Sequence, residues 1–376
     1  MTRRNLIKRL LGWSKTALML GIFPFFYRLG SAAAGAGTGS APFHTGDLSL
    51  KEIARRKIHH GNDRFLNPFS SAGHKNLFQI LRWKLFSENP FRPLYPQERV
   101  VPVTVDWGPV RSSEGLSITF IRHAGMMIKD MDTRMLVDPI FYDLSWFIKD
   151  FSPLVSDIRE MPPPGLVLIT HGHYDHLDVG SLRVLDRETR VITPLGYGDL
   201  FEDLGMKKHT RLDWFESFID GQRSITLLPS NHWTMRNPLI GPNRSLWGSF
   251  LIRTETGPTI FISGDTGYFR GFKEVGEEFS IDLAVFNLGA YEPRWFMAPS
   301  HMNPRETVRA FRELRARHMV IVHWGTFRLG DEPVYLPPVQ LRRELAAQGL
   351  SDRLLDLAHG ETLICSPDQK GWKRAV

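Results

Sequence analysis

The stretch Thr170-His171-Gly172-His173-Tyr174-Asp175-His176-Leu177-Asp178 follows directly on the apolar run Leu166-Val167-Leu168-Ile169. A short apolar run that turns polar at once reads as a fully buried strand, so His171, His173, Asp175 and His176 all leave one rigid strand end. Alternate side chains of an extended segment point the same way. His171 and His173 can therefore face one metal ion, while Asp175 and His176, on the turn into a helix, face a second. Packing alone rarely calls for three imidazoles and a carboxylate in so short a run. Zinc takes about four to five ligands and a catalytic site keeps a place for water, so each ion needs further donors from elsewhere.

Three later segments repeat the pattern of a buried strand followed by a ligand-type residue. Ile225-Thr226-Leu227-Leu228 precedes Ser230-Asn231-His232, Ile260-Phe261-Ile262 precedes Gly264-Asp265, and Met319-Val320-Ile321-Val322 precedes His323. Strand ends in a layered α/β protein converge on one edge, where ligand sites form. The expected set is His171, His173 and His232 for the first metal and Asp175, His176 and His323 for the second, with Asp265 bridging them. Further strands are expected at 116–121, 126–129, 135–137, 249–252 and 283–286, and helices after Asp178, around 271–276, over 304–315 and over 338–348.

The 376 residues, 42% of them hydrophobic, suit one large α/β domain, placed at 101–376 behind an extension over 41–100 that Pro68, Pro90, Pro93 and Pro96 interrupt. Within the extension Leu77, Phe78, Leu81 and Leu85 share one helical face, broadened by Ile80, Trp83 and Phe86. Such a face is expected to pack on the protein's own core, with a membrane surface as the alternative. The single cysteine, Cys365, excludes an internal disulfide and a cysteine-rich metal site. Of the net charge of +7, Arg3, Arg4, Lys8, Arg9, Lys15 and Arg28 account for all but one unit. The body is thus nearly neutral, and no nucleic-acid partner is expected, because phosphate-backbone binding needs a basic stripe on the folded domain.

Residues 1–40 read as a leader: Thr2-Arg3-Arg4-Asn5-Leu6-Ile7-Lys8, an apolar segment from Thr16 to Tyr27, then small residues. The segment is too short, and too interrupted by Pro24, to span roughly 30 Å of hydrocarbon. It resembles a twin-arginine export signal, which implies a periplasmic or membrane-associated protein. The alternative is an uncleaved basic anchor that holds the chain at the cytoplasmic face of a membrane.

The words flanking the histidine run carry a closer likeness. Together with that run, Leu246-Trp247-Gly248-Ser249, Gly264-Asp265-Thr266-Gly267-Tyr268, Gly289-Ala290-Tyr291-Glu292-Pro293-Arg294-Trp295-Phe296-Met297 and His323-Trp324-Gly325-Thr326-Phe327 resemble the N-acylphosphatidylethanolamine-hydrolysing phospholipase D family of the metallo-β-lactamase superfamily. Arg64-Phe65-Leu66-Asn67-Pro68 and Arg82-Trp83 add to the likeness. The resemblance implies an αββα sandwich, two zinc ions on the seven residues above, and hydrolysis of the lipid to phosphatidic acid and an N-acylethanolamine. It also implies a membrane-docked homodimer with an apolar channel for acyl chains. The chain departs from the family at Arg122, ahead of His123-Ala124, where glycine is common, and at Ser300, where glutamine is; both changes bear on head-group preference. Two alternatives stand beside this reading. A lactonase or carboxylic-ester hydrolase can share the fold and metals, and a non-enzymatic exported lipid-binding module would use the metals structurally. Histidine and aspartate ligands also suit Mn2+ or Fe2+.

Two cations about 3.5–4 Å apart lower the pKa of a shared water and supply hydroxide for attack on phosphorus. Asp175 and Asp265 would hold that arrangement. His301, just ahead of the helix start Asn303-Pro304, is the candidate for protonating the leaving alkoxide. Asp138 and Asp178 are candidates for accepting the free N–H of a metal-bound imidazole. Trp233, Trp295, Phe296 and Trp324, beside the ligand-bearing segments, are candidates for lining the acyl channel.

Overall fold

Short runs of β-branched and long aliphatic residues, punctuated by glycine, proline and aspartate, favour strands over helices. The computed structural model describes residues 47–70, 77–237, 239–365 and 371–375. The leader lies outside them, as do the side chains of Leu77 and Phe78. The strands are β1 (Ser117–Arg122), β2 (Gly125–Asp130), β3 (Thr133–Val137), β4 (Leu166–Leu168), β5 (Arg190–Pro194), β6 (His209–Leu212), β7 (Ser217–Asp220), β8 (Arg223–Leu228), β9 (Ser249–Arg253), β10 (Thr259–Ile262), β11 (Leu283–Asn287), β12 (His318–Val322), β13 (Thr362–Cys365) and β14 (Trp372–Arg374).

Among the described residues they form an eight-stranded sheet in the order β14-β13-β1-β2-β3-β4-β5-β6 and a six-stranded sheet in the order β12-β11-β10-β9-β8-β7. β3 to β6 run parallel, as do β10 to β12. All strand segments expected from the sequence are present; β5, β6, β7, β13 and β14 are additional.

The alternation of side chains along each strand sorts the interior into three layers. Leu166 and Leu168 of β4 face Ile225, Ile260, Leu283 and Val320 of the other sheet in a shared central core. Val167 and Ile169 face outward onto Leu182 and Phe201, which lie on the helices Val179–Arg183 and Gly198–Asp203. Phe261, Phe286 and Ile321 pack on Phe272, Phe311 and Leu341, from the helices Gly271–Glu278, Pro304–Leu314 and Leu336–Ala347. The architecture is an αββα sandwich. Each fully buried aliphatic side chain in the central core contributes about 1.5–3 kcal/mol of transfer free energy, so the two sheets are held face to face by apolar burial.

The extension packs onto this sandwich. Asp213, just past β6, accepts from Lys57 Nζ at 2.5 Å and bonds His59 Nε2 at 2.6 Å and His60 Nε2 at 2.8 Å. Asn67 Nδ2 donates to Asn231 Oδ1 and to the His232 carbonyl, both at 2.9 Å. The expected apolar helix over 77–86 does not present one continuous face. After Leu77–Leu81 the chain widens into a π-helical turn, Arg82–Phe86, which rotates the stripe out of register. Trp83 is buried against Ala290, Phe296 and Met297 and donates to Asp331 at 2.9 Å, whereas Leu85 and Phe86 are exposed, Phe86 at 79%.

Candidate metal centre

Strands of both sheets end at one edge, and the residues just beyond them meet across the seam. β4 leads to His171, His173, Asp175 and His176; β8 leads to His232, β10 to Asp265 and β12 to His323. Their ligand-type atoms form two groups, each within 4.8 Å. His171, His173, His232 and Asp265 make one; Asp175, His176 and His323 make the other, and His123, from the turn between β1 and β2, joins them. His123 was not singled out as a ligand-type residue in the sequence, because a lone histidine in a strand connection carries no spacing signal.

Asp265 sits between the groups. Its Oδ2 lies 3.3 Å from His176 Nε2 and 3.9 Å from both His171 Nε2 and His232 Nε2, and its Oδ1 lies 3.4 Å from His323 Nε2. Asn287 Nδ2, at the end of β11, donates to Oδ1 at 2.9 Å. Glycine is required just before this aspartate: Gly264 has φ +55°, and an added Cβ would come within 3.0 Å of Thr170 Cβ. Gly289 lets β11 and β12 close up, since a Cβ there would stand 2.2 Å from the His323 carbonyl oxygen.

Of the two aspartates considered as imidazole acceptors, Asp138 makes the contact. It bonds His176 Nδ1 at 2.8 Å and accepts from Thr170 N and Thr170 Oγ1. Asp178 does not; its carboxylate accepts from Gly180 N, Ser181 N and Ser181 Oγ as the N-cap of the following helix. The backbone carbonyl of Ser300 faces His232 Nδ1 at 3.1 Å. Arg122 does not reach toward a head group: its guanidinium is buried, spans from the Phe141 carbonyl (3.4 Å) to Asp150 Oδ2 (2.5 Å), and lies over the Phe327 ring.

His301 Nδ1 lies 3.8 Å from Asp265 Oδ2 and its side chain is 14% exposed, so it stands at the rim of the cluster. The aromatic residues divide. Trp233 packs edge-on against His173, and Trp295 is exposed beneath the Arg82 guanidinium. Phe296 is instead buried against Trp83, and Trp324, half-buried, packs on Phe120, His359 and the central core.

The residues fit a pair of divalent cations. His176 Nε2 and His323 Nε2 are buried and close no hydrogen bond although carboxylate oxygens lie within 3.6 Å, the arrangement expected of nitrogens aimed at a common ion. Burial works against the charge on Asp175 and Asp265, yet the surrounding imidazoles hold both well below the usual carboxylate range. Burial and neighbouring histidines push His171 well down, and burial lowers His123 to about 3. His176 rises despite its burial, because Asp265 and Asp175 face it. Ionised carboxylates and neutral imidazoles are the protonation states that bind metals, so Asp175, Asp265 and His171 are held ready to coordinate, whereas His176 would give up a proton on binding.

Residues 133–324 match the β-lactamase superfamily domain. The chain belongs to that superfamily. Two curated relatives carry closer names. The N-acyl-phosphatidylethanolamine-hydrolyzing phospholipase D 1 of Caenorhabditis elegans is 29% identical over 337 residues, covering 84% of this chain and 94% of the relative. A mitochondrial N-acyl-phosphatidylethanolamine-hydrolyzing phospholipase D of Saccharomyces cerevisiae is 34% identical over 233 residues, covering 58% of this chain and 50% of the relative. Among solved structures, an isothiocyanate hydrolase from Delia radicum gut bacteria superposes with a TM-score of 0.56 at 20% identity, over 67% of this chain and 99% of its own. That likeness shows the fold. With the ligand-type groups at its strand ends, this superfamily member is a metal-dependent hydrolase of the metallo-β-lactamase fold.

Proposed function

We propose that the chain is a two-zinc phospholipase D-type phosphodiesterase that hydrolyses N-acylphosphatidylethanolamine to phosphatidic acid and an N-acylethanolamine. The observation that carries the chemistry is Asp265, a buried carboxylate facing nitrogens of both ligand groups. The substrate class rests on the two relatives named for it. His171, His173, His232 and Asp265 would hold one ion, and Asp175, His176 and His323 the other, joined by Asp265, whose oxygens lie 3.3 Å from His176 Nε2 and 3.4 Å from His323 Nε2. When bound, the ions would supply Lewis acidity toward the phosphoryl oxygens and activate the attacking water.

The chain's own residues do the rest. Asp138 fixes the His176 ring and Asn287 the Asp265 carboxylate. His301, partly exposed at the rim, would give a proton to the ethanolamide oxygen as its bond to phosphorus breaks. Exposed apolar residues lie along the same segments: Tyr174 between two ligand-type residues, Leu239 and Ile240 after His232, Trp295 before His301, and Trp146 and Phe147 on the loop after Asp138. Such residues suit a surface that meets lipid.

The deciding experiment incubates the metal-loaded protein with vesicles of N-acylphosphatidylethanolamine and, separately, with a panel of lactones and carboxylic esters. Mass spectrometry should find phosphatidic acid and N-acylethanolamine in the first. Turnover of lactones or esters alone would overturn the reading.

A further inference from the structure

We infer that His123 is the positioning residue of Asp175, holding that carboxylate toward the second metal by donating an N–H from Nε2. The inference rests on the two-metal reading above. His123 occupies the two-residue connection between β1 and β2, in the left-handed region at φ +50°. A histidine held there needs anchors, and it has two in its backbone. Its N–H donates to Thr326 Oγ1 at 2.9 Å, and its carbonyl accepts from His323 N at 2.6 Å. Both partners belong to the segment after β12, so the turn of one sheet is fastened to the ligand-bearing end of the other.

With the backbone fixed, the ring reaches Asp175 Oδ2 at 3.0 Å, packed 4.2 Å from the His323 ring and 5.1 Å from that of Phe327. The side chain is fully buried, and its other nitrogen, Nδ1, is buried without a hydrogen-bond partner. The ring's polar contact is therefore with Asp175, and with the proton on Nε2 it is a donor. Asn287 makes the equivalent contact to Asp265. Each metal-facing carboxylate thus has a dedicated donor: an amide for the bridging one and an imidazole for Asp175. Outer contacts of this kind change metal affinity by about 10–100-fold when removed. A direct ligand role for His123 is the competing outcome, and it would leave the second ion with a different set of donor atoms.

The test titrates metal-free full-length protein with Zn2+ in competition with a chromophoric chelator, and records Co2+ absorption spectra of the loaded forms. In His123→Ala the second equivalent should weaken about 10–100-fold while the first keeps its affinity. In His123→Gln, whose amide nitrogen can stand where Nε2 stood, the second equivalent should recover, and the Co2+ bands should match those of the unaltered protein. Unchanged affinity for both equivalents in His123→Ala would overturn the inference, as would a Gln variant whose second equivalent stays weak or whose Co2+ bands differ, the mark of a lost ligand. If His123→Ala does not fold, the Gln variant decides alone. Failure of the unaltered protein to take up two equivalents would instead refute the two-metal reading, independently of His123.

Discussion

Asp265 is surrounded at 3.3–3.9 Å by nitrogens of His171, His176, His232, His301 and His323, so its loss leaves a cluster of buried imidazoles with no common anion. Asp265→Ala should therefore lose hydrolytic activity and at least one metal equivalent, read by elemental mass spectrometry of the purified protein; retention of two equivalents would remove its bridging role. His301 has a different signature. Standing at the rim rather than inside either group, it should tolerate His301→Gln with full metal content but a turnover about 10^2–10^4-fold lower, the range for a general acid. An unchanged turnover would leave it a local hydrogen-bonding residue. The residues legible in the sequence were those that directly follow an apolar strand, because there the buried run and the polar residue after it report the same boundary. His123 was not, since its meaning depends on the β1–β2 turn abutting the end of β12, a contact 200 residues apart in the chain that local pattern does not encode.

At the level of elements, the loop from Phe141 to Asp150 is tied at both ends by one guanidinium. Arg122 bonds the Phe141 carbonyl at one end and Asp150 at the other, while Trp146 and Phe147 stand exposed between them. Removing one partner of a buried ion pair costs about 3–5 kcal/mol. Arg122→Ala should lower stability in urea by that order and open 141–150 to limited proteolysis; wild-type protection would show that other contacts hold the loop. A second element is set by Glu332, whose buried carboxylate accepts from Tyr291 N and Glu292 N. Burial raises it to about 7, above the roughly 4.3 of an unfolded glutamate. Between those values the folded state binds the extra proton, so stability linked to this group is complete at low pH and is lost as pH rises through 7. The melting temperature of Glu332→Gln should therefore vary less between pH 5 and 8 than that of the unaltered protein. The strands missed in the sequence have related causes. β6, β7 and β14 are edge strands with exposed polar positions, so neither an unbroken apolar run nor strict alternation marks them. β13 spans only Thr362–Cys365, and β5 begins with Arg190 and ends in Pro194, residues that argue against a central strand. The helix over 77–86 was legible as an apolar segment, but its π-helical turn, which turns Phe86 outward, was not.

For the whole molecule, the candidate ligands come from both sheets, so metal binding adds free energy to the folded state alone. Exhaustive chelation should lower the melting temperature and stoichiometric Zn2+ should restore it; a melting curve indifferent to both would mean that the groups bind no metal of consequence. The αββα layering was expected only through the family resemblance; the residues themselves indicate a mixed α/β domain, because a strand buried on both faces, such as β4, is an unbroken apolar run that does not show which side chains meet which layer. Sheet order was not legible either, since it depends on which strands meet after the chain crosses from one sheet to the other. Among the described residues no helix is long and apolar enough to cross a membrane, and apart from its first forty residues the chain is close to electrically neutral. The seam itself has one more consequence. His171 to His176 ride on one sheet while Asp265 and His323 ride on the other, so any sliding of the sheets against each other must change several coordination distances together. A paramagnetic or optically active ion bound there would act as a gauge of motion throughout the sandwich, and a substitution deep in the central core, far from any ligand, would be visible in its spectrum.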